Sequence, residues 1–341
     1  MSLSGPTEFE AVAAESGLTG GLGPESDHTS ADPQGAIAGR SLASIAWRRL
    51  RRDKVALVAG GVIILIILIA ALADVISAIY GQRPSELHNT GADSVINDVT
   101  GLPNGPFSGI SSTFLLGVTP LSGQDILTNL IYGARTSLSV SFLATALSLV
   151  LGISLGLIAG YYRGWADTLI SRVMDVLLSF PTLLFSIALI TVVSYINSDP
   201  SLRYWIIVFV LGFFAFPYIG RIVRGQTISL REREYVEAAR SLGARRPYIL
   251  FTELLPNLMA PILVYATLII PTNILFEAAL SFLGVGVPPP TATWGGMLSD
   301  AVGFYTVPHF MLWPGLAIFA TVMAFNLFGD GLRDAFDPRS R

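Results

Sequence analysis

The side chains that could carry catalytic or metal chemistry are few and widely spaced. The chain of 341 residues has no cysteine, which excludes disulfides, thiolate metal sites and a cysteine nucleophile. Its three histidines, His28, His88 and His309, would share a metal ion only if the fold gathered them from distant segments. A P-loop requires a glycine-rich run ending in Gly-Lys, whereas the single lysine, Lys54, follows Asp53. The sequence therefore predicts no bound metal or cofactor, no ATP hydrolysis and no enzyme activity in this chain.

One polar segment is the strongest candidate for an interaction site. Residues 234–257 read EYVEAARSLGARRPYILFTELLPN and lie between two very hydrophobic runs. The preceding Ser229-Leu-Arg-Glu232 matches a capping box, and Gly243 suits the C-terminal end of a helix. The pattern predicts a short helix over residues 229–243.

The surface of this predicted helix is thin and charged. Its apolar face contains only Val236, Ala239 and Leu242, and Ala238 adds another small residue at mid-length. Such a helix fits a groove on a partner protein better than a lipid surface, which favours larger apolar side chains. An ordinary solvated loop is the alternative that the pattern leaves open.

The rest of the chain has the composition of a membrane protein. Hydrophobic residues make up 52% of it and charged residues 13%, whereas soluble domains average about 25% charged residues. The net charge of −3 provides no basic field for nucleic acid. Six runs have the length and polarity of membrane spans. They are residues 55–73, a run within 138–162, then 176–196, 204–220, 254–276 and 310–328.

Two other charge-free runs are not expected to span the membrane. Residues 99–124 and 278–299 are interrupted by glycine and proline. A backbone broken in this way cannot satisfy its hydrogen bonds in lipid, so both runs are predicted as loops outside it.

The distribution of arginine and lysine predicts the orientation. If both termini are cytoplasmic, every basic residue except Arg83, Arg135 and Arg203 falls on the inner side. The polar helix is then cytoplasmic as well. The predicted organisation is a disordered acidic tail over 1–40, a basic cytoplasmic segment over 41–54, and a six-helix transmembrane domain over 55–341 with a long outer loop over 74–135.

Some residues within the spans are candidates for packing or for function. Gly152, Gly156 and Gly160 share one helix face and would let another helix approach closely, within this subunit or in a neighbouring one. Asp175 and Glu277 flank predicted spans. Each is expected to form an ion pair or a hydrogen bond to a neighbouring helix, and a contact with a transported substrate is the less favoured alternative.

Several motifs resemble those of ABC importer permeases and occur in the same order. Glu237-Ala238-Ala239, Gly243 and Leu255-Pro256 are similar to the family's signature. The other similar motifs are Ile131–Leu138, Glu277–Gly284, Trp294–Leu298 and Asn326–Pro338. The chain departs from the family at Glu253, where isoleucine is frequent, and in the outer segments Leu116–Thr119 and Gly123–Asp125.

The resemblance is closest to the C-type permease of dipeptide and oligopeptide importers, and it extends from about residue 41 to the end of the chain. It implies an all-α membrane protein with six transmembrane helices, the type I ABC importer permease fold, in the bacterial plasma (inner) membrane. It further implies that Glu237, Ala238, Ala239, Gly243 and Arg245 belong to a coupling helix that docks into an ATPase.

The implied partners complete an importer. They are a homologous B-type permease, two ATPase subunits that bind ATP and Mg²⁺, an extracytoplasmic substrate-binding protein and membrane lipid. Import of nickel chelates or haem by the same machinery is one alternative. An ion-coupled secondary transporter is another, although the inverted repeats and mid-membrane charges typical of that class are not evident. A scaffold or signalling subunit would require a folded soluble domain, and the N-terminal tail is too short and polar for one.

Overall fold

The computed structural model describes residues 42–336, except for 85, 90–93, 106, 108 and 198. The predicted acidic tail over 1–40 lies outside the described residues, as does the end of the Asn326–Pro338 motif.

Helices account for most of the described chain. In chain order they are α1 (Leu42–Leu50), α2 (Lys54–Ala71), α3 (Ala73–Tyr80), α4 (Ile126–Tyr162), α5 (Gly164–Ser179), α6 (Thr182–Ile196), α7 (Pro200–Leu230), α8 (Glu234–Ser241), α9 (Arg246–Tyr248), a π-helical turn (Ile249–Leu254), α10 (Leu255–Phe282), α11 (Trp294–Val302) and α12 (Pro308–Phe336). Between α3 and α4 the outer loop contains two isolated antiparallel bridges, Ile96 with Pro103 and Val118 with Asp125.

The described residues contain five or six candidate membrane spans, in keeping with the six predicted. Five helical segments are long and apolar enough to cross a membrane: α2, α4, α7, the segment from α9 to α10, and α12. The pair α5 and α6, bent by 83° at a short break, can form the sixth. Several of these helices begin at an aspartate whose carboxylate accepts orphan backbone N–H groups, as at Asp53, Asp125 and Asp199.

The third predicted span contains a break near its start. Residues 176–196 were predicted as a single span, but α5 ends at Ser179 and α6 starts at Thr182. Pro181 forces this break because it has no backbone N–H and holds the preceding residue, Phe180, in an extended conformation.

The run 278–299 was also only partly a loop. α10 continues to Phe282, and α11 begins at Trp294. Thr293 starts α11 by accepting the backbone N–H of Gly296 at 3.0 Å. The buried Trp294 then fixes α11 against α4, because its indole Nε1 donates to the carbonyl of Leu130 at 3.0 Å. By contrast, the described residues of 99–124 contain no helix.

The most extensive helix contact among the described residues is between α4 and α7. Gly152, Gly156 and Gly160 all face α7, where a Cβ atom would approach neighbouring atoms to 2.6–2.7 Å. The atoms met are Cβ of Ile219, the carbonyl oxygen of Gly220 and Cβ of Thr227, respectively. The three glycines therefore lie in a helix contact within this chain, where they let the two backbones touch.

The bundle has two chemically different ends. At the end we call the basic end, the start of α2 meets the end of α12, and the α4–α5 junction meets the α7–α8 junction. Every described Lys and Arg except Arg83, Arg135 and Arg203 lies in this half. At the opposite end Arg135 pairs with Asp74 at 2.9 Å. This asymmetry is the one that the positive-inside rule uses.

The α4–α7 contact predicts a specific sensitivity to size. Gly156→Ala would place a methyl group 2.7 Å from the Gly220 carbonyl, so we expect the free energy of unfolding to fall by about 1–3 kcal/mol through overpacking. A lower thermal midpoint of the purified protein would report this loss.

Gly225→Ala, on α7 with no atom within 4 Å of the new Cβ, is the matched control. Its midpoint should stay equal or rise slightly, because alanine is the better helix former. Equal losses in the two variants would contradict the packing interpretation.

Candidate coupling surface

The polar helix α8 is shorter than the sequence predicts, and it begins without the expected capping box. Ser229 belongs to the last turn of α7. α8 starts at Glu234, and its N-cap residue, Arg233, makes no side-chain capping bond. Glu232 does not reach back to a helix terminus, because its carboxylate accepts hydrogen bonds from the guanidinium groups of Arg163 and Arg231.

The C-terminal end of α8 is closed as Gly243 predicts. Gly243 has φ +82°, a left-handed conformation that favours glycine. Its N–H donates to the carbonyl of Arg240, and the N–H of Ala244 donates to the carbonyl of Ala239, both at 3.0 Å. This pair of bonds is the Schellman motif, and it turns the chain sharply towards Arg245.

One apolar residue anchors α8 to the bundle. Val236 is fully buried and packs with Leu157 of α4 and with Ile249 and Leu254 of the π-helical turn. Leu242, the other end of the predicted apolar face, does not pack on the bundle, because its side chain is 88% exposed. α8 is therefore attached through Val236 and presents its remaining surface outwards.

The exposed side of α8 borders a cavity of about 630 Å³. Residues of α8 and the turn after it, including Ala238, Ala239 and Gly243, line one part, and Arg245, Tyr248 and Glu253 line the rest. Tyr235 also lines it, and partial burial, followed by the nearby charge of Glu253, raises the pKa of its hydroxyl. We call this cavity and the exposed face of α8, which includes Glu237, the coupling surface.

A π-helical turn connects this surface to α10. The N–H of Leu255 bonds the carbonyl of Leu250, five residues earlier, and Pro256 follows at the start of α10. Pro256 cannot donate to the carbonyl four residues before it, which favours the wider turn. Glu253, the departure from the family signature, lies on this turn and faces the cavity.

Two arginine contacts attach the α7–α8 junction to the end of α4. Arg231, which is 5% exposed, donates through Nη1 to the carbonyls of Gly160 at 2.6 Å and Tyr161 at 3.1 Å. These carbonyls lack helical partners because α4 ends at Tyr162. Glu232 adds its ion pair with Arg163, so α8 emerges from a junction held to α4 on two sides.

Comparison with known families identifies the chain. A family model described as the binding-protein-dependent transport system inner membrane component matches residues 152–341. The chain belongs to this family of transport permeases. A second model, the N-terminal transmembrane domain of oligopeptide transport permease C, matches residues 41–91 of the permease. The permease is therefore a multi-pass protein of the bacterial inner membrane.

Individual relatives extend the match over most of the permease. It is 39% identical over 294 residues to the glutathione transport system permease protein GsiD of Pectobacterium atrosepticum, covering 86% of this chain and 90% of that protein. It is 40% identical over 298 residues to the dipeptide transport system permease protein DppC of Alkalihalophilus pseudofirmus, covering 87% and 90%.

A solved structure supports the fold. The inward-facing MetNI methionine ABC transporter matches with a TM-score of 0.51 at 19% identity, over 62% of the permease and 98% of that chain. The expected fold of an ABC importer permease is therefore confirmed.

The two acidic candidates of the permease have different surroundings. Asp175 on α5 is partly exposed and pairs with Arg221 of α7 at 2.5 Å. Glu277 on α10 is fully buried, and its Oε1 accepts the hydroxyl of Ser281, one turn further along the same helix, at 2.7 Å. Glu277 Oε2 has no hydrogen-bond partner among the described residues. Within those residues, no three His, Asp or Glu side chains are grouped to hold a metal ion.

Residues that the sequence did not single out hold α5 in place. Asp167 of α5 accepts two hydrogen bonds from the guanidinium of Arg224 on α7, one of them at 2.9 Å. Arg231 was likewise counted only as a basic residue. The signal that could have indicated Arg231 is an arginine directly after a long helix, where it can reach orphan carbonyls.

The Arg231 contact predicts where the permease loosens first. Arg231→Met keeps much of the side-chain volume but leaves the Gly160 and Tyr161 carbonyls unpaired, which costs about 1–3 kcal/mol. We expect faster amide hydrogen exchange in residues 227–245, measured by mass spectrometry. Arg233→Met, at an exposed position two residues on, should leave that exchange unchanged, and equal exchange in both variants would contradict the role of Arg231.

Proposed function

We propose that this permease is the translocation-pathway subunit of an ATP-driven importer of small peptides. The observation that carries the proposal is the 39–40% identity, over nearly nine-tenths of the chain, to a glutathione and a dipeptide permease. Both relatives are named for short peptides with free carboxylate groups. No observation favours nickel chelates, haem or an ion-coupled mechanism.

The proposed assembly contains subunits that this chain lacks. Its partners are a homologous B-type permease, two ATPase subunits that bind ATP and Mg²⁺, and an extracytoplasmic substrate-binding protein. Both termini and the basic end face the cytoplasm, as the excess of arginine there supports. ATP hydrolysis belongs to the ATPase subunits, in keeping with a transport family and with the missing P-loop lysine.

The coupling surface gives the ATPases a means of moving the helices. In the proposal, α8 seats in an ATPase groove through Glu237, Ala238, Ala239 and the turn at Gly243. A displacement of α8 passes through Val236 to the π-helical turn and α10, because these residues pack in one cluster. It also passes through Arg231 to the end of α4. Three spans, α4, α7 and α10, would then move together.

Two substitutions test this coupling. Glu237→Lys reverses a charge on the exposed face, and Gly243→Asp strains the left-handed turn that ends α8. We expect binding-protein-dependent uptake of a labelled dipeptide into proteoliposomes to fall to background in both variants. The ATPase activity should lose its stimulation by loaded binding protein, while membrane insertion persists.

Gly81→Asp is the matched control for backbone strain. Gly81 has the same φ of +82° and likewise no atom within 4 Å of a new Cβ, but it lies at the opposite end of the bundle. Its uptake should remain near that of the wild type. Normal uptake by both Glu237→Lys and Gly243→Asp would reject the coupling role.

The substrate class is tested separately in the wild-type transporter. Excess unlabelled dipeptide and glutathione should compete with uptake of the labelled dipeptide, whereas nickel chelates and haem should not. Competition by haem or nickel chelates alone would reject the peptide assignment.

A further inference from the structure

A cavity of about 380 Å³ with mixed polar and apolar walls lies at the end of the bundle opposite α8. Its walls come from the loop between α10 and α11, the first turn of α7, α11 itself and the residues that precede and begin α4. Sites for small molecules in proteins typically have volumes of about 300–1,000 Å³. The cavity is therefore large enough for a small ligand, and none of its residues belongs to the coupling surface.

Two opposite charges line the cavity without forming ion pairs among the described residues. Arg203, from the first turn of α7, donates to the carbonyl of Gly286 at 3.4 Å, a long contact for a charged group. Asp300, on α11, lies at the rim. Partial burial raises the pKa of the Asp300 carboxyl, although the residue keeps much of its solvent exposure, and no cation among the described residues offsets this effect.

Amide and hydroxyl groups complete the polar wall. Asn129 Nδ2 donates to Gln124 Oε1 at 3.1 Å, which orients both amides and leaves the Asn129 oxygen and the Gln124 nitrogen for a ligand. Thr119 and Ser122 bond through their hydroxyls at 2.7 Å beside them. A peptide unit needs one donor and one acceptor of this kind.

The floor of the cavity is held rigidly. A Cβ atom on Gly286 would overlap Ser281 Oγ, and one on Gly295 would overlap the Ala278 carbonyl. The loop after α10 and the start of α11 therefore lie directly on the α10 backbone. Ser281 is itself fixed by its bond to the buried Glu277. A preformed site of this kind loses little conformational entropy when a ligand binds.

We propose that this cavity binds a small zwitterion, with its carboxylate at Arg203 and its ammonium group at Asp300. A di- or tripeptide with free termini carries both of these charges, and this choice rests on the proposed function. The cavity would receive the peptide on the outer side of the membrane before the pathway opens. Arg203 and Asp300 would then each gain the charged partner that the described residues do not provide.

The experiment measures binding of Ala-Ala to the complete transporter in lipid nanodiscs without its binding protein, by isothermal titration. N-acetyl-Ala-Ala and Ala-Ala amide each lack one terminal charge and should bind the wild type about tenfold more weakly, the usual effect of one charged hydrogen bond. Asp300→Asn should weaken the binding of Ala-Ala about tenfold but should leave the binding of N-acetyl-Ala-Ala, which has no ammonium group, unchanged. Arg203→Gln should likewise weaken the binding of Ala-Ala but leave that of Ala-Ala amide, which has no carboxylate, unchanged.

Matched controls and outcomes keep this test separate from the proposed function. Arg83→Gln and Asp98→Asn change exposed charges of the outer loop and should bind Ala-Ala as the wild type does. The proposal is overturned if the wild type binds Ala-Ala no more tightly than it binds the two blocked peptides. It is likewise overturned if Arg203→Gln and Asp300→Asn bind Ala-Ala as tightly as the wild type does. It is also overturned if these two variants weaken only the docking of the binding protein. Peptide uptake by the same wild-type preparation tests the proposed function independently.

Discussion

The direct contact between the backbones of α4 and α7 is the constraint on which the rest of the basic end depends. Three glycines at four-residue spacing let the α7 backbone lie directly against this part of α4. Because the two helices touch along their inner halves, their ends lie side by side. Arg231 can then reach the last carbonyls of α4, and Glu232 can reach Arg163. Larger side chains between α4 and α7 would separate Arg231 and Glu232 from the end of α4, and α8 would lose these two contacts.

Different residues in and beside α8 attach it to the bundle and form its exposed face. Val236 of α8 and Arg231 before it are buried against the bundle, whereas Glu237, Ala238 and Leu242 are exposed. A helix of eight residues is too short to be stable alone, so its order comes from this anchoring and from the Gly243 turn. The same division explains why the segment is polar in a hydrophobic chain. Among the described residues, little packs on its exposed face, which leaves that face available to a partner.

Much of the architecture could be predicted from the sequence because membrane spans depend on composition over long runs. The errors arose where a local pattern had two uses. Ser229 and Glu232 match a capping box, but only the fold brings Arg163 and the end of α4 within reach of this junction. Pro181 lies inside the third predicted span, and the extended Phe180 before it breaks the helix there. The glycine- and proline-rich run before Trp294 hid α11, whose position depends on a tryptophan pocket formed by distant helices.

The central claim, that α8 seats in a groove of an ATPase subunit, is best tested by labelling Leu242, which is 88% exposed in the isolated chain. The natural sequence has no cysteine, so Leu242→Cys introduces a single thiol without background. We predict rapid maleimide labelling of the separate permease and strong protection once the ATPase subunits are bound. Val99→Cys, in the outer loop and 94% exposed, should label equally in both states. Undiminished labelling at position 242 in the assembled transporter would contradict the account.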